Sequence, residues 1–270
     1  MEGVAMAIGS QTISSDEAGD RRTDRLLRNC VGAEQIVPRA EEAWTSLKPS
    51  LERIIQRNQV RRVLEIGGGR HPFFTVADSQ RLGFALTVND LDANELSHAP
   101  GAFGRLVLDI AADLSSVSVE RNAYDLIFSR MVFEHVRDAE KAWSNVHALL
   151  APDGIGFAFV PTLFSPPFVL NRAMPEAITS RLLRLIDRTR NPDEIPKFPA
   201  FYQACRASER ALSPMLTRIG FREVCVVPFF GTPYFPAVPI LKHVARAFDK
   251  WVEKRDLRMF ASYAYIIARK

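Results

Sequence analysis

The sequence predicts an α/β, doubly wound fold: a mostly parallel sheet covered by helices on both faces, an antiparallel hairpin at its C-terminal end, and helical lid insertions. Three observations predict it. Short apolar runs alternate with helical or irregular segments from residue 60 to residue 161, as in a parallel sheet buried on both sides. Glycines or polar residues gather at the carboxyl ends of four successive runs, the edge at which such sheets hold ligands. Two closing runs, 222–230 and 260–270, flank an insertion at 231–258, which suggests a hairpin at the sheet edge.

Each element follows from local pattern. Residues 1–25 read as a disordered N-terminus, so the folded domain is expected over 26–270. Residues 34–58 have helical periodicity, with Pro38 near the start and Pro49 expected to break the helix. "RVLEI" (62–66) is the first strand, and 72–81 holds a short helix. "FALTVND" (84–90) is the second strand, followed by a helical turn at 92–96. "RLVLDI" (105–110) and "YDLIFS" (124–129) are the third and fourth strands. Residues 138–150 form an amphipathic helix with Ala142, Val146, Leu149 and Leu150 on one face. Pro152, Asp153 and Gly154 make a turn into the fifth strand, 155–161. There the alternation stops, and 161–202 is a first insertion. Residues 203–221 read as a helix closed by Gly220, kinked or restarted at Pro214. The two closing strands bring the total to seven, and the insertion between them carries a helix at 240–253.

Composition narrows the function classes. Among 270 residues, 47% are hydrophobic and 24% charged, as in soluble globular chains. A net charge of +4, with basic residues interleaved with acids, falls short of a nucleic-acid footprint. Cys30, Cys205 and Cys225 are scattered, without CxxC or Cys/His spacing, so no metal site is expected and the thiols suit a reducing compartment. The first 22 residues lack the basic start of a signal peptide. No apolar run approaches the ~18 residues of a membrane span. A cytoplasmic location is the expectation.

The strand ends carry the chemistry. At the first, Glu65 precedes Gly67, Gly68 and Gly69. Gly67 and Gly69 allow backbone angles barred to other residues and let a ligand lie against main-chain N–H groups. The dinucleotide pattern GxGxxG is broken, since Arg70, His71 and Pro72 follow. An acid ahead of the glycines instead suits a ligand with a positive charge or an ammonium donor. Asp90 ends the second run, Asp109 falls late in the third, and Ser129 and Arg130 end the fourth.

In order and spacing these segments resemble the motifs of class I S-adenosylmethionine-dependent methyltransferases, closest to the type 11-like domain with "EHV" after the fourth strand. "RRVLEIGGGRHPFF" (61–74) is similar to motif I, with His71 in place of a further glycine; "LTVNDLD" (86–92) resembles the second motif, "LVLDIAADL" (106–114) the third and "YDLIFSRMVFEHV" (124–136) the fourth. The resemblance implies a Rossmann-like sheet and S-adenosylmethionine as cofactor. It implies that Glu65, Gly67, Gly68 and Gly69 bind its amino-acid end through the loop. Asp90, beside Leu91, would accept both ribose hydroxyls through its two oxygens. Asp109 would accept from the adenine amino group, Ile110 and Met131 would pack on the ring, and Ser129 and Arg130 complete the set. His135 has two readings: a catalytic base, for which an ordinary imidazole pKa of about 6.5 is suited, or a histidine that holds its loop. Glu134 and Arg130 are acceptor-contact candidates. The implied reaction is methyl transfer to a small, lipophilic acceptor, at oxygen. A sugar or lipid-linked glycan acceptor, and a non-catalytic binding module, stand as alternatives.

The insertions hold the acceptor information. The first carries Phe164, Phe168, Phe198, Phe201 and Tyr202 with Arg172, Arg181, Arg184, Arg188 and Arg190. In the second, Leu241, Val244, Phe248 and either Trp251 or Val252 share a face, with Lys242, Arg246 and Lys250 elsewhere. Two readings stay open: helices that cap the core with solvated basic faces, or a lid that touches an anionic membrane surface.

Overall fold

The computed structural model describes Leu26 and residues 39–163, 199–231 and 239–270, with side chains from residue 247 onward in the last segment. The N-terminal tail, Cys30 and most of the first insertion, with its aromatic and arginine residues before Pro199, lie outside the described residues.

Seven strands form one sheet: β1 (Arg62–Ile66), β2 (Ala85–Asp90), β3 (Gly104–Val107), β4 (Tyr124–Arg130), β5 (Leu150–Pro161), β6 (Glu223–Phe229) and β7 (Tyr263–Arg269). Their order is β3-β2-β1-β4-β5-β7-β6. The first five pair in parallel, while β7 lies antiparallel between β5 and β6, so the closing hairpin forms the edge of the sheet.

Alternation along the strands divides the core in two. Leu64, Ile66 and Ile127 face a cluster built with Trp143, Val146 and Leu149 of α5 (Ala139–Leu149) and Leu212 and Leu216 of α6 (Glu209–Ile219). Val63, Leu126 and Phe128 face the opposite cluster, with Ala43 of α1 (Glu42–Thr45) and Leu47, Leu51, Ile54 and Ile55 of α2 (Leu47–Arg57). A strand buried on both faces must be apolar at every position, so the one acid inside β1, Glu65, stands out.

The first of two prolines behaves differently from expectation. The break in the first helical segment falls at Ser46, and Pro49 sits in the first turn of α2, where its missing N–H has no intrahelical partner to lose. Pro214 lies inside α6, which continues through it. Boundaries also shift. The third strand stops at Val107, three residues earlier than its apolar run. The turn at 152–154 is a bulge within β5, where pairing jumps from Tyr124↔Leu150 to Leu126↔Ile155.

The remaining helices set the loops beyond the strand ends. α3 (Val76–Leu82) opens with a reciprocal capping box between Thr75 and Asp78 and closes on Gly83 at φ 73°. Lys48 holds the Asp78 carboxyl well below the usual range. α4 (Ala93–Ser97) is capped by the Asp92 side chain. In α7 (Pro239–Lys254), of Trp251 and Val252 it is Val252 that turns into the core, and Trp251 is exposed. Among the described residues no helix is long and apolar enough to cross a membrane.

Candidate active site

The ends of β3, β2, β1 and β4 lie side by side, and their outgoing loops form one edge. At β1, Glu65 is buried, and both its carboxylate oxygens accept the Phe73 N–H, at 3.1 and 2.9 Å. The acid therefore ties the far end of the glycine loop back to the strand. Burial pushes its carboxyl up to about 7, against the lowering effects of the Phe73 N–H and the nearby Arg130. A cationic ligand at this edge would favour its ionised form.

The glycines are required by close approach. Gly67 and Gly69 have φ of +70° and +48°. A β-carbon at Gly67 would lie 2.5 Å from Val132 Cγ2, and one at Gly69 would lie 2.8 Å from Asp90 Oδ2. At Gly68 it would meet Val88 Cγ1 at 2.7 Å and the Glu65 carboxyl carbon at 2.9 Å. The loop is thus pressed against the acids of two strands, and any side chain would lift it away.

Asp90 and Asp109 repeat one arrangement. Asp90 Oδ1 accepts the Asp92 N–H at 3.1 Å, and Asp109 Oδ1 accepts the Ala111 N–H at 2.8 Å. Each acid spends one oxygen on its own turn and holds Oδ2 outside any hydrogen bond among the described residues. For Asp90 this modifies the expectation of two equally open oxygens: a diol would meet Oδ2 and the remaining lone pair of Oδ1. Leu91, next to Asp90, has 67% of its surface exposed, and Val107, at the end of β3, has 51%. Exposed apolar side chains beside open carboxylate oxygens suit a ligand with both a flat apolar part and hydroxyl or amino donors.

Ile110 departs from the expectation of a ring contact. Its side chain is buried among Leu108, Leu114 and the α5 residues, because the chain turns inward after Asp109. Met131 does stand at the edge, half-buried, at φ 56°, with its N–H on the Phe159 carbonyl at 2.8 Å. Arg130 stacks over the Phe73 ring at 5.1 Å, and Ser129 is fully buried with no hydrogen-bond partner for its hydroxyl among the described residues.

The segment after β4 forms the other wall. Phe133–His135 make one 3-10 turn. His135 Nδ1 faces the Pro199 carbonyl oxygen at 2.9 Å, so that nitrogen carries the proton, and Nε2 stands 3.8 Å from Glu134 Oε1. The ring is therefore both loop-holding and oriented. Glu134 is buried, its Oε2 lacks a hydrogen bond among the described residues, and burial pushes its carboxyl up to about 7. Phe201 and Tyr202 donate their N–H groups to the Glu134 carbonyl at 2.7 and 3.1 Å, which seats both aromatic residues beside His135.

Sequence reasoning missed several residues here. Asn89 and Asn145 are buried and bind the backbone that carries Asp109. Their only sequence signals are an amide inside a strand and an amide within the apolar turn of a helix. Arg70 and Glu95 form a two-bond ion pair, at 2.7 Å each, between the glycine loop and α4.

Residues 39–226 match the family model described as Methyltransferase domain. No protein of curated function matches the chain. Among solved structures, it is similar to a SAM-dependent methyltransferase from Archaeoglobus fulgidus, at 19% identity over 85% of this chain and 97% of that one, with a TM-score of 0.48. It is similar to the CurJ carbon methyltransferase at 18% identity over 94% of this chain and 68% of that one, TM-score 0.49. It is also similar to a phosphoethanolamine N-methyltransferase 2 of Haemonchus contortus, at 14% identity over 96% and 60%, TM-score 0.48.

Proposed function

The chain belongs to the methyltransferase domain family, and from that premise we propose that it methylates a small, lipophilic acceptor at oxygen, with the cofactor at the carboxyl edge of β3-β2-β1-β4 and the acceptor beside His135. It is a class I S-adenosylmethionine-dependent methyltransferase. The site reading rests on one observation. Two adjacent strands each lead into an aspartate whose Oδ1 is fixed by its own turn and whose Oδ2 accepts no hydrogen bond among the described residues, and exposed Leu91 and Val107 stand close to them in sequence.

These residues fit the cofactor's chemistry. Asp90 suits the ribose diol and Asp109 the adenine amino group, while Leu91 and Val107 offer apolar surface to the base. The glycine backbone and Glu65 suit the amino-acid end. When bound, S-adenosylmethionine supplies an electrophilic methyl group whose leaving group is a neutral thioether. The chain's own part is then orientation, which can supply about 7–11 kcal/mol of the barrier, and acceptance of a proton. His135 is the base in this reading. Its Nδ1 proton is held by the Pro199 carbonyl, so Nε2 bears the lone pair that would take the acceptor's hydroxyl proton. Phe201 and Tyr202, docked on Glu134, support an apolar acceptor. Exposed Trp251 and Met259 beside Lys250, Lys254 and Arg255 support contact with an anionic membrane, tested by salt-sensitive sedimentation with anionic vesicles.

Calorimetric titration with S-adenosylhomocysteine tests the cofactor site. Micromolar binding is expected, weakened on the order of 100-fold by Asp90→Ala, the worth of one or two hydrogen bonds to a charged group. Equal binding by the variant would remove Asp90 from the site. The acceptor class is tested by methyl transfer to phenols and long-chain alcohols, with His135→Ala expected to lower kcat about 100-fold or more. Transfer only to amines or carbon acids would overturn the oxygen assignment.

A further inference from the structure

Four carbonyl groups of the chain leaving β3 end on side-chain amides. Asn89 Nδ2 donates to the carbonyls of Leu106, at 3.0 Å, and Leu108, at 2.8 Å. Asn145 Nδ2 donates to those of Ile110 and Ala112, both at 2.7 Å. Every second carbonyl from 106 to 112 is thus held by one of two asparagines. Asn89 comes from β2 and Asn145 from α5, and both are buried.

From Leu108 on, the held segment has left its strand partner. β3 ends at Val107, and beyond it the ladder to β2 continues through one bond, Leu108 N–H to the Asp90 carbonyl at 3.2 Å. An edge segment without a ladder would leave several carbonyls to water. Here amides from two different elements replace it, and they bracket Asp109. Leu108 and Ile110, the residues on either side of it, both have their carbonyls tied. The Asp109 side chain is then fixed by its own bond to the Ala111 N–H, and Oδ2 remains for a ligand.

We infer that Asn89 and Asn145 are positioning residues that make the site selective for adenine, by fixing the 106–112 backbone so that Asp109 aims one oxygen at the amino group of the base. This rests on the cofactor reading above. The chemistry of selection is simple. The carboxylate oxygen accepts from the amino group of adenine, whereas hypoxanthine carries a carbonyl oxygen there, which repels it. A site that orients an acceptor tightly rejects the mismatched base, and one whose acceptor can swing away does not.

The test compares binding of S-adenosylhomocysteine with that of S-inosylhomocysteine, its hypoxanthine analogue, by calorimetry on the full chain. The wild type is expected to prefer adenine by about tenfold or more, the worth of one hydrogen bond made against one left opposed. Asn145→Leu, close in volume but without a donor, is expected to bring the two ligands within about threefold of each other, mostly by weakening the adenine compound. Asn145→Ser and Asn89→Ser, smaller changes, carry the same test should the leucine variant not fold. Asp109→Asn is expected to reverse the preference, since its amide would keep Oδ1 on the Ala111 N–H and offer N–H to the base. Folded asparagine variants that keep the wild-type ratio, whatever their melting temperature, would make the amides structural only and overturn the inference. A wild type that binds both ligands equally would overturn it while leaving the cofactor reading intact. A wild type that binds neither would overturn both.

Discussion

Glu134 has 4% of its side chain exposed and lies near His135 and Cys205, and its burial outweighs the lowering effect of its own backbone N–H. Its carboxyl is pushed up to about 7 by desolvation, so the folded protein holds a proton there that the unfolded chain releases at about pH 4.3. The folded state therefore draws stability from this group below about pH 4 and loses it as pH rises through 7. Glu134→Gln should flatten that part of the curve and gain on the order of 1–3 kcal/mol over the wild type at pH 8 relative to pH 5. Urea melts at the two pH values check it; parallel losses in both proteins would show that Glu134 ionises freely. Gly68→Ala tests the glycine loop without a strained φ. The added methyl would press on Val88 and the Glu65 carboxyl, at a cost of about 1–3 kcal/mol. A lowered melting temperature with weakened S-adenosylhomocysteine binding is expected, because Glu65 would be pushed off the Phe73 N–H that closes the loop.

At the scale of elements, the two prolines make opposite predictions. Pro214 is exposed inside α6 and takes one interior N–H from the helix, so Pro214→Ala should stabilise the protein by about 1–3 kcal/mol. Pro49 occupies a first turn, where no N–H is missed, so Pro49→Ala should change stability by less than about 0.5 kcal/mol. Thermal melts of the two variants decide this. The proline pattern shows how much of an element is legible in sequence. β1 was readable to the residue because an apolar run stops at a glycine turn. The helix break was displaced to Ser46 because a proline marks a constraint whose cost depends on its distance from a helix start. The apolar run at β3 overshoots the strand because Leu108 and Ile110 are apolar for core packing after the ladder has ended. In the same way Ile110, expected on the ligand side, belongs to the core.

For the whole molecule, the site is assembled from four strand ends and their outgoing loops, so ligand binding should report on the entire fold. S-adenosylhomocysteine at about 100 times its Kd should add about 2.7 kcal/mol to stability, a rise of about 5–10 °C in melting temperature for a chain of this size. Asp90→Ala should lose most of that rise at the same ligand concentration, and an undiminished rise would place the ligand elsewhere. The sequence by itself determined the alternation of elements, the acids and glycines at the strand ends, and their order, because local periodicity and turn chemistry act over a few neighbours. It carried no account of which aspartate oxygen stays open, of Glu134 buried beside His135, or of the two amides that hold the 106–112 backbone. Those depend on groups from separate elements meeting across the core, as Asn145 meets a carbonyl 35 residues away. Only the packing of α5 against the sheet places that amide beside the loop of Asp109.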